Sequence, residues 1–297
     1  MANTKIYVSK NIMCRYNIRS CIRDVKNISS IPITLSKIIN VLKDEKSTID
    51  DIADVIRHDQ AIASRVLAIG NSPYFGFPEK INSIEQAILV LGIDIVRSIT
   101  VGVTVFSAVS IPPYKLKKLW AHSYIVGLLS GHMSHRIPMI NEGVCFLAGL
   151  LHDVGRVVLY AILPEEYEDI LKLPDGQLKK EIIEKEYDTL SCDHAEAGGI
   201  FLQGLFLPEE IIMALFCHHD IEILSVLEKH QEIAKIIYLA EGLTDIIIPE
   251  FSSDGLWTSD HETIFKELGF DESDKESFRF FIDGRKEHIN NFFGLIV

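Results

Sequence analysis

Apolar residues along this chain recur at helical spacing almost without interruption, and strict apolar–polar alternation is nearly absent. Leu35, Ile38, Ile39 and Leu42 follow Pro32 at that spacing, and the run stops near Asp44-Glu45-Lys46. Ile49, Ile52, Ala53 and Ile56 form the next apolar face, with Thr48 and Asp51 at capping-box separation. Ile62, Val66 and Ile69 continue until Gly70-Asn71-Ser72-Pro73, a run that ends helices. Ser83-Ile84-Glu85-Gln86 opens a helix through Leu91, and Gly92 separates it from another over 93–109. Pro112-Pro113 then breaks any helix and forces an extended link, which makes it the best internal boundary.

Past that boundary, 116–136 reads as one long helix carrying His122, His132 and His135, and 142–162 as another carrying His152-Asp153. Residues 164–171 and 177–187, rich in Glu and Lys, look like surface helices. Asp193 caps a helix that carries His194, and Pro208 opens one that ends at His218-His219. Residues 227–248 form a long apolar-faced helix containing Glu241 and Asp245, and two amphipathic helices follow near 264–268 and 278–293. The pattern predicts an all-α protein of two lobes hinged near Pro112-Pro113. Its parts are a basic segment 1–26, an N-terminal helical lobe 27–114, a second helical lobe 115–248 and C-terminal helices 249–297.

Composition sharpens this picture in three places. The chain has 297 residues, 47% of them hydrophobic, which is enough for a sizeable core. Its net charge of -13 argues against bulk nucleic-acid binding, because a phosphate backbone would be repelled. The first residues are the exception: Lys5, Lys10, Arg15, Arg19, Arg23 and Lys26 face only Asp24. A solvated basic tail is the plain reading, and a contact with the acidic body of the protein the sharper one. Cys14, Cys21, Cys145, Cys192 and Cys217 are scattered without a C-x-x-C, which points to a reduced, cytoplasmic protein. No signal peptide is expected, and the most apolar stretch, 87–109, is interrupted by Asp94 and Arg97 and reads as a buried helix, so no membrane span is expected.

The chemistry sits in the second lobe. His152-Asp153 lies inside Gly149-Leu150-Leu151-His152-Asp153-Val154-Gly155-Arg156, after His122 and before His194 and His218-His219-Asp220. Imidazoles and carboxylates in apolar helices are costly unless something binds them, and a metal would account for several at once. Neighbouring residues on a helix point about 100° apart, so each doublet can reach one centre from a single helix. The glycines around the first doublet imply that its helix packs closely. Such N and O donors suit one or two divalent first-row ions such as Fe, Mn, Ni or Zn. Asp153 could bridge two, an arrangement able to generate hydroxide for phosphate-ester hydrolysis. His58, His132, His135, His230, His261 and His288 read as ordinary histidines, His261 as a solvated one. Cys217 reads as a buried structural cysteine before it reads as a thiol ligand.

In order, His122, His152-Asp153, His194 and His218-His219 resemble the pattern of the HD superfamily of metal-dependent phosphohydrolases, in its HD-GYP-like arrangement. Residues 31–220 resemble more specifically the HDOD domain. The marks are Ile31-Pro32, Ile56-Arg57-His58-Asp59-Gln60-Ala61 leading to Arg65-Val66-Leu67, Gly70-Asn71-Ser72-Pro73-Tyr74-Phe75, and Ile84-Glu85-Gln86-Ala87-Ile88 running into Leu91-Gly92. That resemblance implies an N-terminal helical lobe packed on an HD-like helical bundle, and a bacterial signalling role exercised on a protein partner. Glu241 stands where the superfamily has a final Asp, Arg156 where a Lys often follows the doublet, and the Asp-Gly-x-Gly-Tyr-Pro signature is missing after Asp220. The expectation is therefore a non-catalytic HDOD regulatory module with a structural metal. The alternative is a metal-dependent phosphohydrolase, and a third reading is a metal- or redox-sensing switch. The expected ligands are His122, His152, Asp153, His194, His218 and His219 around one or two points, with Glu241 at the edge.

Overall fold

Every regular element among the described residues of the computed structural model is a helix, as the helical spacing of apolar positions requires. The described residues are 17–23, 41, 47–71, 75, 77, 79–107, 113–171, 179–204, 207–220, 231–248, 257–286 and 289. The expected helix after Pro32, the tripeptide 72–74, Pro112, His230 and His288 lie outside them.

A short helix α1 (Ile18–Arg23) comes first. Helix α2 (Ile49–Arg57) starts where the sequence places its cap: the Thr48 side chain accepts the Asp51 N–H, and Asp51 accepts the Thr48 N–H. Asp59 caps α3 (Gln60–Gly70), and Ser83 caps α4 (Ile84–Leu91). The Gln86 side chain accepts the N–H of Asn82, one residue before that cap. Gly92, at φ +88°, turns the chain into α5 (Ile93–Ser107), a backbone angle that favours glycine. Ile52, Ile56, Ile62, Val66, Ile69, Ala87 and Ile88 are buried between these helices, and α5 joins them to the second lobe.

That lobe comprises α6 (Pro113–Ser134), α7 (Glu142–Leu151), α8 (Val154–Ile162), α9 (Pro164–Leu171), α10 (Lys179–Leu190), α11 (His194–Gly204), α12 (Glu209–Cys217) and α13 (Gln231–Ile247). Helix α6 is buried on every side over 120–131, as expected for a central helix. Helices α5, α7 and α13 pack around it or its neighbour, α8 lies on α11, and α12 lies on α13. Two further helices, α14 (Ser259–Glu267) and α15 (Glu272–Asp283), cover α13 and α6. The stretch Glu142–Ile162 is long and apolar enough to cross a membrane, but 83% of its window is buried inside the protein.

Four expectations need correction. The helix expected over 142–162 is interrupted at the doublet, where Asp153 leaves helical geometry at φ -93°, ψ 8°. The basic segment is not simply solvated: α1 buries Ile18 and Ile22 against α8 and α11, and the Arg19 guanidinium pairs with both Glu196 oxygens. Cys145, Cys192 and Cys217 are free, but Cys21 is disulfide-bonded, so a wholly reduced set does not hold. His261 is buried, with 7% exposure, because its ring lies between Tyr238 and Trp257 at centroid distances of 4.2 and 5.0 Å. It also closes the cap of α14, its Nδ1 accepting the Thr258 N–H at 3.1 Å.

Candidate metal centre

The centre is positioned by backbone contact before any side chain acts. A Cβ on Gly155 would stand 1.8 Å from the His194 carbonyl oxygen and 2.7 Å from the Gly198 nitrogen. Helices α8 and α11 therefore touch main chain to main chain, which sets Asp153 Oδ1 3.3 Å from His194 Nε2. A Cβ on Gly149 would lie 2.8 Å from the Gly127 Cα. That contact draws α7 onto α6 and sets the His152 and His122 rings 5.2 Å apart. The close packing expected of the glycines around the doublet is present.

All seven residues singled out in the sequence come together, in two groups. Asp153, His194, His218 and His219 form one; His122, His152 and Glu241 form the other. Within each, the donor atoms lie within 4.8 Å of one another. The rings of His152 and His218 stand 5.4 Å apart and link the groups. Glu241 is at the centre, not the edge. Its Oε1 lies 3.5 Å from His152 Nε2 and 3.8 Å from His122 Nε2, and its Oε2 lies 3.7 Å from His219 Nδ1. The glutamate's extra methylene, measured against an aspartate, lets α13 reach both groups. His152, His194 and His218 are 0% exposed, and Asp153 and Glu241 1%.

The outer hydrogen bonds fix how the imidazoles face. His152 Nδ1 lies 2.7 Å from the Gly149 carbonyl, and His218 Nδ1 lies 2.6 Å from the Leu215 carbonyl. A carbonyl only accepts, so each Nδ1 carries the proton and each Nε2 keeps its lone pair. Both Nε2 atoms are buried without a hydrogen-bond partner. Burial pulls the His218 imidazole down to about 3, which keeps it neutral and able to ligate.

Three residues that sequence reasoning did not assign to the site complete it. Glu186 on α10 is fully buried; its Oε2 accepts from the His194 backbone N–H at 2.9 Å and lies 2.6 Å from His194 Nδ1. Tyr167 on α9 donates to the other Glu186 oxygen at 2.5 Å. Arg156 Nε stands 3.0 Å from Asp153 Oδ1, an ion pair whose alignment makes no directed hydrogen bond. Burial alone would raise the Asp153 carboxyl, but Arg156 and the surrounding histidines hold it well below the usual carboxylate range. Burial opposes a charged His194 as well, yet the Glu186 carboxylate beside it raises its pKa on balance. Cys217 belongs to neither group; burial pushes its thiol up to about 11, as suits a structural cysteine.

This arrangement suits a divalent cation. Three buried carboxylates, Asp153, Glu186 and Glu241, face one guanidinium that is 12% exposed, and two buried imidazole lone pairs lack a partner. Either feature is costly in a core unless a positive centre answers it.

Comparison with known proteins places this geometry in a family. The HDOD domain model matches residues 28–221. An uncharacterized protein of Treponema pallidum (strain Nichols) is 25% identical over 202 residues, 66% of this chain but only 38% of its own length. A solved HDOD domain protein of unknown function from Geobacter sulfurreducens is 24% identical at a TM-score of 0.67, covering 90% of this chain and 92% of that one. A Shewanella amazonensis SB2B protein provisionally named a phosphohydrolase has a TM-score of 0.70 at 17% identity, over 92% and 97%. A Marinobacter aquaeolei VT8 protein provisionally named a signal transduction protein has a TM-score of 0.70 at 18% identity, over 90% of this chain and 59% of its own. The solved structures share the helical fold, and the matched model spans most of both lobes: the chain belongs to the HDOD domain family.

Proposed function

We propose that this HDOD protein is a bacterial signal-transduction module that acts by contact with a protein partner, and that its second lobe holds one or two divalent first-row metal ions as a structural centre. His122, His152, Asp153, His194, His218, His219 and Glu241 would hold the ions, which would supply positive charge and crosslink six helical segments. The observation that carries this reading is closure. The donors, on or at the ends of α6, α7, α8, α11, α12 and α13, are at most slightly exposed, and structural metal sites are closed whereas catalytic ones keep a position open to substrate. The absence of the Gly-Tyr-Pro segment after Asp220 leaves nothing in the sequence to shape a cyclic-dinucleotide pocket.

One observation favours a second reading, a metal-dependent phosphohydrolase. The donors divide into two groups, with Asp153 Oδ2 3.6 Å from His152 Nε2 and Glu241 Oε2 3.7 Å from His219 Nδ1 reaching between them, as a two-ion hydrolytic centre requires. Metal analysis of protein purified without added metal, paired with a phosphodiesterase screen, separates the two. Bound metal without turnover is the expected result. Metal-dependent hydrolysis of a phosphoester that is lost in Asp153→Ala would move the second reading to first place.

A further inference from the structure

The three best-buried histidines are not oriented in the same way. His152 and His218 each use a carbonyl three residues back, Gly149 and Leu215, within the turn that carries them. His194 cannot, because it is the first residue of α11 and no helical turn precedes it. The residue three back, Ser191, sits at φ +56° in the connecting turn. Something outside the helix must fix the ring. Glu186, eight residues earlier on α10, reaches across the turn and takes both the ring Nδ1 and the backbone N–H of His194 on one oxygen. Its other oxygen is clamped by Tyr167. A carboxylate in that place also satisfies one of the free N–H groups at the start of α11, where negative charge is favoured.

Resting on the metal reading above, we propose that Glu186 is the positioning residue of His194, and that it makes the Asp153–His194–His218–His219 group the tighter of two unequal cation sites. A carboxylate behind an imidazole fixes its tautomer and strengthens its lone pair towards a metal. The other group has three donors to this group's four, and its His152 rests on a neutral carbonyl. Within the centre the hydrogen bonds of Glu186 run to His194, so its influence is directed at one group.

The test uses the full chain and two probes. Zinc and manganese ions are titrated separately into metal-free protein against a competing chelator. The wild type is expected to load in two phases. Glu186→Gln, which keeps the shape and an acceptor oxygen but removes the charge, is expected to weaken the tighter phase about 10–100-fold and leave the weaker one unchanged. Tyr167→Phe is expected to weaken the same phase by less. Equal weakening of both phases, as general loosening of the fold would give, overturns the proposal, and so does no change in either. In parallel, nitrogen-15 spectra of histidine-labelled, metal-free wild type are expected to show His194 protonated at Nδ1; an unprotonated Nδ1 overturns the positioning role whatever the metals do. If the wild type binds neither ion, the metal reading falls and the loading order with it, and these spectra alone decide whether Glu186 positions His194.

Discussion

The two lobes bury polar groups for different purposes. In the N-terminal lobe the buried polar side chains among the described residues are Thr100 and Thr104, each bonded to a carbonyl four residues back in its own helix. These bonds close locally, and the lobe is otherwise capped amphipathic helices around an aliphatic core. The second lobe buries His122, His152, Asp153, Glu186, His194, His218 and Glu241, contributed by different helices and turned towards one another. A polar group satisfied within its own turn costs little, whereas several kcal/mol attend each charge taken out of water without adequate pairing. The same helical building material thus serves packing in one lobe and a centre in the other, and the location of unsatisfied polarity tells them apart.

The largest test of that contrast lies in the glycines. Gly155→Ala should cost more than about 4 kcal/mol in urea denaturation or prevent folding, because its Cβ meets a backbone carbonyl that cannot move aside. Gly70→Ala in the N-terminal lobe meets the Leu91 Cδ1 at 3.0 Å and, in ordinary contact, the Ile81 Cδ1 at 3.9 Å. A shift of that flexible side chain, offset by better helix propensity, should leave a change within about 1 kcal/mol. Equal losses would erase the distinction between a lobe built on side-chain packing and one built on main-chain contact.

Next in size is metal removal. Binding to the native state alone adds about 2.7 kcal/mol at a free concentration one hundred times the dissociation constant. Exhaustive chelation of metal-loaded protein should accordingly lower the melting temperature by roughly 5–10 °C. His152→Ala should abolish that difference, and Thr100→Val should preserve it. An unchanged melting curve would leave the histidines as a hydrogen-bonded core. The smallest expected effect is Thr48→Ala, which removes the cap of α2 and should cost about 1 kcal/mol with metal content untouched, measured by denaturation and metal analysis.

Much of the fold was legible because helix caps and apolar spacing are local. Thr48, Ser83 and Asp193 all cap the helices assigned to them. The seven donor candidates were legible because histidines and acids in apolar runs are conspicuous. Their partners were not. Residues 177–187 read as a surface helix from their Glu and Lys content, yet Glu186 is buried. A signal was present: Ile182, Ile183 and Leu190 stand three or four residues either side of Glu186, which puts the acid on the apolar stripe. The role of Glu241 as the bridge between groups depends on side-chain reach across three helices, which no spacing along the chain encodes. His261 was misjudged because its burial comes from Trp257 and Tyr238, one of them on another helix.

The contact at Gly155 has a mechanical consequence. Two helices already in main-chain contact have no softer layer between them to compress, so the span from residue 153 to residue 194 behaves as a hard stop. Core truncations elsewhere will let side chains relax and lower the melting point long before they alter that span. The donor geometry is thereby insulated from the drift in stability that ordinary substitutions bring. Exchanging the side chains at 153 or 194 would change reach and chemistry on a frame that holds its dimensions.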